Sequence, residues 1–381
     1  MKSRTHKICK VGVWDTTFPG IHFNENGISN YRFLHNELNE AFPRGDQGKT
    51  QWNKIVKTIK LKKNKNNYDC IVGVSGGTDS SFLLHLCKEN GLKALAVNLD
   101  NGWNSKIAVL NIKKITELLN FDLETYVIDY EEVKKIQRAY IRSCIPWVDK
   151  PTDNAIMAIL YRTASREGVK FVLLGNDFRT EGKQPSEWTY GDGKQLLYIY
   201  NKYESNEKLR SFPYMTIKDY FIYGFIRNIK LIYPFNYLEY SKNKAQKLLS
   251  EKYDWEYYGG HHHENIFTRF IIGYWLPRKF NIDKRKVTLS AQILNDEISR
   301  DEALKILKNP PYNEDEMEMD KEYVLKKLDF TKEDFIGIWN SPNRSIFDFP
   351  SYYSIIRKFP KLINALYKLI NTTPPKIFFE M

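Results

Sequence analysis

The chain has 381 residues, enough for two domains or for one large domain with appendages. Charged residues make up 27% and hydrophobic ones 42%, a globular balance that excludes a disordered chain. Lys plus Arg number 58 against 46 Asp plus Glu, a formal charge of +12. The lysines are spread along the whole sequence, which reads as a generally basic surface and not as a nucleic-acid footprint. No run approaches the roughly 18 apolar residues of a spanning helix. No apolar signal segment follows the basic start either, so no membrane insertion is expected. Four scattered cysteines fit a reducing cytoplasm better than a disulfide framework.

In chain order, residues 1–45 hold many turn formers and read as a small irregular cap. Residues 50–66 form a polar, lysine-rich lead-in helix. The apolar run 70–74 has the pattern of a buried parallel strand, and a Gly-rich turn leads from it into a helix over 79–89. Strands are expected at 94–98, 123–128, 170–175 and 230–234, and helices at 106–120, 130–142 and 153–167. The alternation implies a five-stranded parallel α/β sheet with helices on both faces. From residue 264 onward only helical periods appear, at 264–279, 289–298, 301–308, 321–328 and 360–370. The expected division is a cap and lead-in helix (1–65), an α/β domain (66–260) and a helical C-terminal region (261–381).

The most informative stretch is Ser75-Gly76-Gly77-Thr78-Asp79-Ser80, between an apolar strand and a helix. Glycines let the backbone approach a phosphate closely, and free N–H groups at a helix start point at the anion. The hydroxyls of Ser75 and Ser80 add donors. Asp79 would repel a phosphate, which makes sense if it holds Mg²⁺ or fixes the loop. The loop at 173–182 leaves the fourth strand on the same sheet edge and carries Asp177 and Glu181, either of which could reach a metal ion.

The first loop resembles the PP-loop of the ATP pyrophosphatases, whose HUP-like, adenine nucleotide alpha hydrolase fold cleaves ATP between the α and β phosphates. The resemblance implies an enzyme using ATP and Mg²⁺. Ser75, Gly76, Gly77, Asp79 and Ser80 would hold the pyrophosphate end, Asn98 and Asp100 would lie by the adenosine, and Gly175 and Asn176 would complete the nucleotide site. Asp79 and Glu181 would be the Mg²⁺ ligands. The relatives include tRNA-thiolating and lysidine-forming enzymes, so tRNA modification is a rival reading, as is a non-catalytic nucleotide-binding scaffold.

Four further motifs narrow the resemblance. The opening from Cys9 to Gly27, the run Asp100-Asn101-Gly102-Trp103-Asn104-Ser105, the Tyr257–Arg269 stretch and Leu276–Lys286 look like the N-acetyl sugar amidotransferases. These make acetamidino sugars for lipopolysaccharide O-antigens or, as pseudaminic acid derivatives, for flagellar glycans. The likeness implies a C–N ligase that adenylates an N-acetyl carbonyl on a nucleotide-linked sugar and replaces its oxygen with ammonia. Lys284 and Arg285 would neutralise phosphates, and His262 could take a proton from attacking ammonia. The family's two Cys-x-x-Cys pairs survive only as Cys9, with Gly12, Ser29 and Arg32 elsewhere, so no zinc site is expected. Cys70 and Cys87 read as structural, and Cys144 is the one candidate for reactivity. No cysteine sits in a glutaminase-like setting. The resemblance therefore implies separate glutaminase and ammonia-channelling barrel subunits, like those of histidine biosynthesis.

Overall fold

The central strands are apolar on both faces, so both must be covered. They are β1 (Cys70–Gly73), β2 (Ala94–Asp100) and β4 (Phe171–Leu173), flanked by the largely exposed edge strand β3 (Asp122–Val127) and by β5 (Lys230–Ile232) at the other edge. The computed structural model describes residues 6–61, 67–260 and 264–359, with 361 and 365. In it all five strands run parallel, in the order β3-β2-β1-β4-β5. The expected α/β class is the one observed.

Alternation along each strand divides the core. Ile71, Leu95, Val97 and Val172 pack with α5 (Tyr130–Ser143) and α6 (Lys150–Arg166). Cys70, Val72, Ala96 and Leu173 face α3 (Thr78–Glu89) and α4 (Lys106–Leu119), together with Trp52 and Val56 of α2 (Gly45–Leu61). The chain winds outward from β1 to β3, then returns to lay β4 on the other side of β1. Loops leaving β1 and β4 diverge, and their divergence opens a crevice at the carboxyl ends of the strands.

Several elements differ from the sequence expectation, which did not include the helices Gly193–Tyr203 and Lys332–Asn340. The cap contains a true helix, α1 (Asn30–Ala41), which buries Tyr31, Leu34, His35 and Leu38. A helix at Lys242–Tyr253 was not visible because it buries only Ala245 and Leu249. The expected helix at 264–279 is a composite: Ile266–Phe270, a π-turn at Ile271–Trp275, then Leu276–Phe280. Pro277 explains the π-turn, since it lacks an N–H and its ring crowds the carbonyl four residues back. Helices at Arg285–Leu294, Arg300–Ile306, Glu314–Lys327 and Lys332–Asn340 follow. The one expected at 360–370 lies almost wholly outside the described residues.

The cap is tied to these late helices. Val13 N donates to Ser290 Oγ (2.9 Å), and Lys286 Nζ lies 2.5 Å from Asp15 Oδ2. The Arg300 guanidinium donates to the carbonyls of Cys9 and Gly12. Ser29 N donates to Cys9 Sγ (3.3 Å), so the surviving cysteine is a buried acceptor within the cap. No group of three or more His, Cys, Asp or Glu side chains among the described residues could hold a metal ion.

Candidate active site

The turn after β1 lies over the start of α3 and satisfies itself. Ser75 N donates to Ser80 Oγ (3.1 Å), Gly77 N to Ser75 Oγ (3.3 Å) and Thr78 N to Tyr258 Oη (3.2 Å). An arriving phosphate would exchange these bonds for its own oxygens without stranding a donor. Gly76 has φ +79°, and a Cβ there would drive into the carbonyl of Ala108. Its own carbonyl accepts from Trp255 Nε1 (3.1 Å). Gly76 therefore serves packing; unlike Ser75, Gly77, Asp79 and Ser80 it does not line the crevice.

The loop after β4 closes the opposite side. A Cβ on Gly175 would lie 2.9–3.2 Å from backbone atoms of Asp79 and Ser80, so glycine permits this close approach. Asn176 Nδ2 donates to Glu181 Oε2 (3.3 Å), and both residues line the crevice. Asp177 does not. It is buried, caps the next turn by accepting from Arg179 N and Thr180 N (both 3.2 Å), and lies 3.6 Å from Arg44. Burial pushes its carboxyl up to about 6, against the pull of Arg44. Of the two expected acids, the structure brings Glu181 to the crevice and keeps Asp177 as a cap.

Sequence reasoning missed Lys242, at the start of the Lys242–Tyr253 helix. Its ammonium lies 3.1 Å from Asp79 Oδ2, while Tyr240 donates to Asp79 Oδ1. Burial raises the proton affinity of Asp79, Lys242 opposes this, and Glu181 adds to it. Burial works against the Lys242 charge, yet Asp79 and Glu181 hold the ammonium protonated well above its ordinary range. No local signal marks Lys242; it is one of three near-consecutive lysines and asparagines in a polar run.

Together these walls enclose a cavity of about 270 Å³. Asn98 lines it, but Asp100 does not; its carboxylate accepts from Gly102 N (2.8 Å) and shapes the turn after β2. The roof comes from Tyr258, Glu264, Asn265 and Thr268, held over the β2 turn by backbone bonds from Ser105 N to Glu264 O and from Ile266 N to Trp103 O. Thr268 Oγ1 donates to Asp149 Oδ2 (2.5 Å) on the far wall, where Trp147 donates to Asp153 Oδ2 (3.1 Å). Five carboxylates and one cation, Lys242, line the described walls.

The remaining expected residues lie elsewhere. Lys284 is not a lining residue, but its Nζ stands 3.9 Å from the ring centre of Trp147, which is. Arg285 is not a lining residue: it forks onto Asp283 (2.7 and 3.0 Å) and reaches the carbonyls of Ile306 and Asn309. The sequence pattern could not show that this guanidinium is spent on neighbouring backbone. His262 lies outside the described residues. Cys144 is buried, and burial pushes its thiol above the ordinary range, so it is no activated nucleophile.

Residues 264–362 match the family model described as LPS biosynthesis protein WbpG-like, C-terminal domain. The resemblance read from the motifs is borne out. Its matched segment supplies Glu264, Asn265 and Thr268 to the roof of the cavity. An uncharacterized protein of Methanocaldococcus jannaschii, MJ1599, is 28% identical over 155 residues, which are 39% of this chain and 53% of that protein. The chain thus spans about half the length of this curated relative. Similar solved structures include an NH3-dependent NAD synthetase from Campylobacter jejuni, with TM-score 0.28, 16% identity, and coverage of 46% of this chain and 73% of that one. The U34-tRNA thiolase NcsA from Methanococcus maripaludis has TM-score 0.31 and 15% identity over 66% and 82% of the two chains. No described helix is long and apolar enough to cross a membrane.

Proposed function

We propose that this chain is an ATP-dependent amidotransferase of lipopolysaccharide or related glycan biosynthesis, acting on an N-acetyl group of a nucleotide-linked sugar. One observation carries this reading. The phosphate-type loop at 75–80 and the roof from the LPS-family segment line a single cavity, so a nucleotide and a sugar could meet there.

The chemistry follows from the problem. An amide carbonyl is a weak electrophile, and its oxygen leaves badly. Attack of that oxygen on the α-phosphorus of ATP forms an O–P bond and expels pyrophosphate. Ammonia then adds to the activated carbon, and the C–O bond breaks with AMP carrying away the former carbonyl oxygen. Two protons lost from the attacking nitrogen leave a neutral acetamidine. Lys242 is placed to neutralise the departing pyrophosphate, a role that grows as charge develops there. Asp79 and Tyr240 hold that lysine in position. Gly77, Ser75 and Ser80 would offer donors to phosphate oxygens.

Mg²⁺ fits the hard oxygen donors of the cavity, but both oxygens of Asp79 are already engaged by Tyr240 and Lys242. Glu181, assisted by phosphate oxygens and water, is the protein ligand this donor set supports. When bound, the ion would shield phosphate charge from the surrounding carboxylates. Ammonia would come from a separate glutaminase through an ammonia-passing barrel partner, as the family resemblance implies.

The test is pyrophosphate release and mass-spectrometric detection of the amidine, using candidate UDP- or CMP-linked N-acetyl sugars and ¹⁵N-ammonium. Product bearing ¹⁵N is expected, with turnover falling at least about a hundredfold in Lys242→Met, the scale of losing one electrostatic catalytic group. Pyrophosphate release that ignores every sugar nucleotide, or responds to tRNA instead, would overturn the reading.

A further inference from the structure

A nucleotide-linked sugar brings its own phosphate or diphosphate, and among the described lining residues no second cation is present to receive it. Lys242 is committed to Asp79, and the other charged lining groups are the carboxylates Asp79, Asp149, Asp153, Glu181 and Glu264. Further phosphate groups placed among them would compete with ATP for Lys242. A basic surface elsewhere would suit the handle of the substrate better.

A second cavity of about 750 Å³ lies where the segment from Phe347 through the helix Tyr353–Lys358 meets the start of the helix Gly193–Tyr203. Lys194, Arg357 and Lys358 line it, with Phe347 and Tyr353. Its single carboxylate, Asp348, is turned to local use, accepting from Ser345 N (2.8 Å). Phe347 is 44% exposed, and its ring centre lies 5.0 Å from that of Tyr353. An aromatic surface beside three cations has the chemistry of a base-stacking platform next to a phosphate clamp.

Only a short chain of packed residues separates this cavity from the first. Tyr353 packs edge-on against Tyr190 at 4.8 Å, and Tyr352 N donates to Asp192 Oδ2 (2.7 Å). Between those two residues, Gly191 lies against the stem of Lys150. The Lys150 ammonium is 3.6 Å from Asp153, on the wall of the ATP-type cavity.

We infer that the groove formed by Lys194, Phe347, Arg357 and Lys358 binds the pyrimidine nucleotide of the sugar substrate, leaving the sugar to reach the first cavity. The assignment rests on the nucleotide-sugar reading above. It divides the substrate by charge: phosphates on the basic groove, sugar hydroxyls among the carboxylates and amides of the cavity.

Calorimetry on the full chain tests it, with UDP and CMP titrated separately after the ATP site is filled with α,β-methylene ATP. One of the two is expected to bind once per chain. Lys194→Ala and Arg357→Ala should each weaken it about tenfold, the scale of one charged hydrogen bond to phosphate. Binding of the ATP analogue and the melting temperature should be unchanged, and Phe347→Ala should weaken the pyrimidine nucleotide alone. Failure of both nucleotides to bind, or binding indifferent to all three substitutions, would overturn the inference. Acetamidine formed with an unaltered KM in Arg357→Ala would defeat the groove while leaving the proposed function standing. Nucleotide binding at the groove with no amidine formed from any sugar would do the reverse.

Discussion

His35 shows how a single side chain can set the acid response of this fold. It is 6% exposed in α1, and its ring packs edge-on against Phe178 at 5.5 Å, beside the loop that carries Glu181. Burial, then the charges of Arg32, Arg179 and Arg44, push its pKa down to about 4. In the unfolded chain the imidazole binds a proton near 6.5, while in the folded chain it resists until about 4. The unfolded state therefore holds the extra proton between those values, and this group's contribution to stability is lost as pH falls through that window. His35→Leu removes the titration while keeping the packing volume similar. Chemical denaturation at pH 7 and at pH 4.5 should show the variant gaining on the parent by up to about 3 kcal/mol as the pH drops. A stability difference that stays constant between the two pH values would show that the ring is not held neutral.

At the scale of elements, the strands and their parallel sheet were legible because the chemistry of burial is local, whereas the order of the strands was not. Runs such as Ile71-Val72 and Leu95-Ala96-Val97 are apolar on both faces, and only a sheet covered twice can accept them. The turn after β1 was legible as well, since two adjacent glycines before Asp79 and Ser80 have few uses. The helix Lys242–Tyr253 was not, because its role is electrostatic and most of it faces solvent. Its lysine meets Asp79 across a gap of more than 160 residues, and no period encodes such a meeting. Nor does sequence separate the two glycines of the turn. Gly77 lines the cavity, whereas Gly76 adopts φ +79° against the backbone of α4. Gly76→Ala should thus displace the turn, lowering the melting temperature and abolishing ATP cleavage together. Gly45→Ala is the control, with φ +67° and open space around its Cβ. It should cost only about 1 kcal/mol of backbone strain and spare activity. Equal losses in the two variants would mean that the contact with Ala108 does not matter.

At the scale of the whole molecule, the cap is held by the far end of the chain, and no cluster of described ligands is present to hold it by metal. Where the family resemblance leads one to expect four thiolates, this chain has Cys9 accepting from Ser29 N and an arginine from residue 300 bracing the same turn. A charged donor on two carbonyls can fix a short turn much as a shared ion would, because each bond replaces a solvated carbonyl with a charge-assisted one. The turn is further packed by Trp14 stacked on Tyr31 at 6.1 Å, with Phe18 edge-on to Tyr31 at 5.4 Å. Arg300 thus couples residues 9–12 to the late helices, which in turn brace the roof of the cavity. Arg300→Ala leaves two carbonyls without their charged donor and should cost about 1–3 kcal/mol. It should also expose the cap to protease before the α/β sheet is attacked. Prolonged treatment with a strong chelator is expected to leave the melting temperature of the parent protein unchanged. A fall in that temperature on chelation, reversed by zinc, would show that the cap is still held by an ion and that Arg300 is only a neighbour.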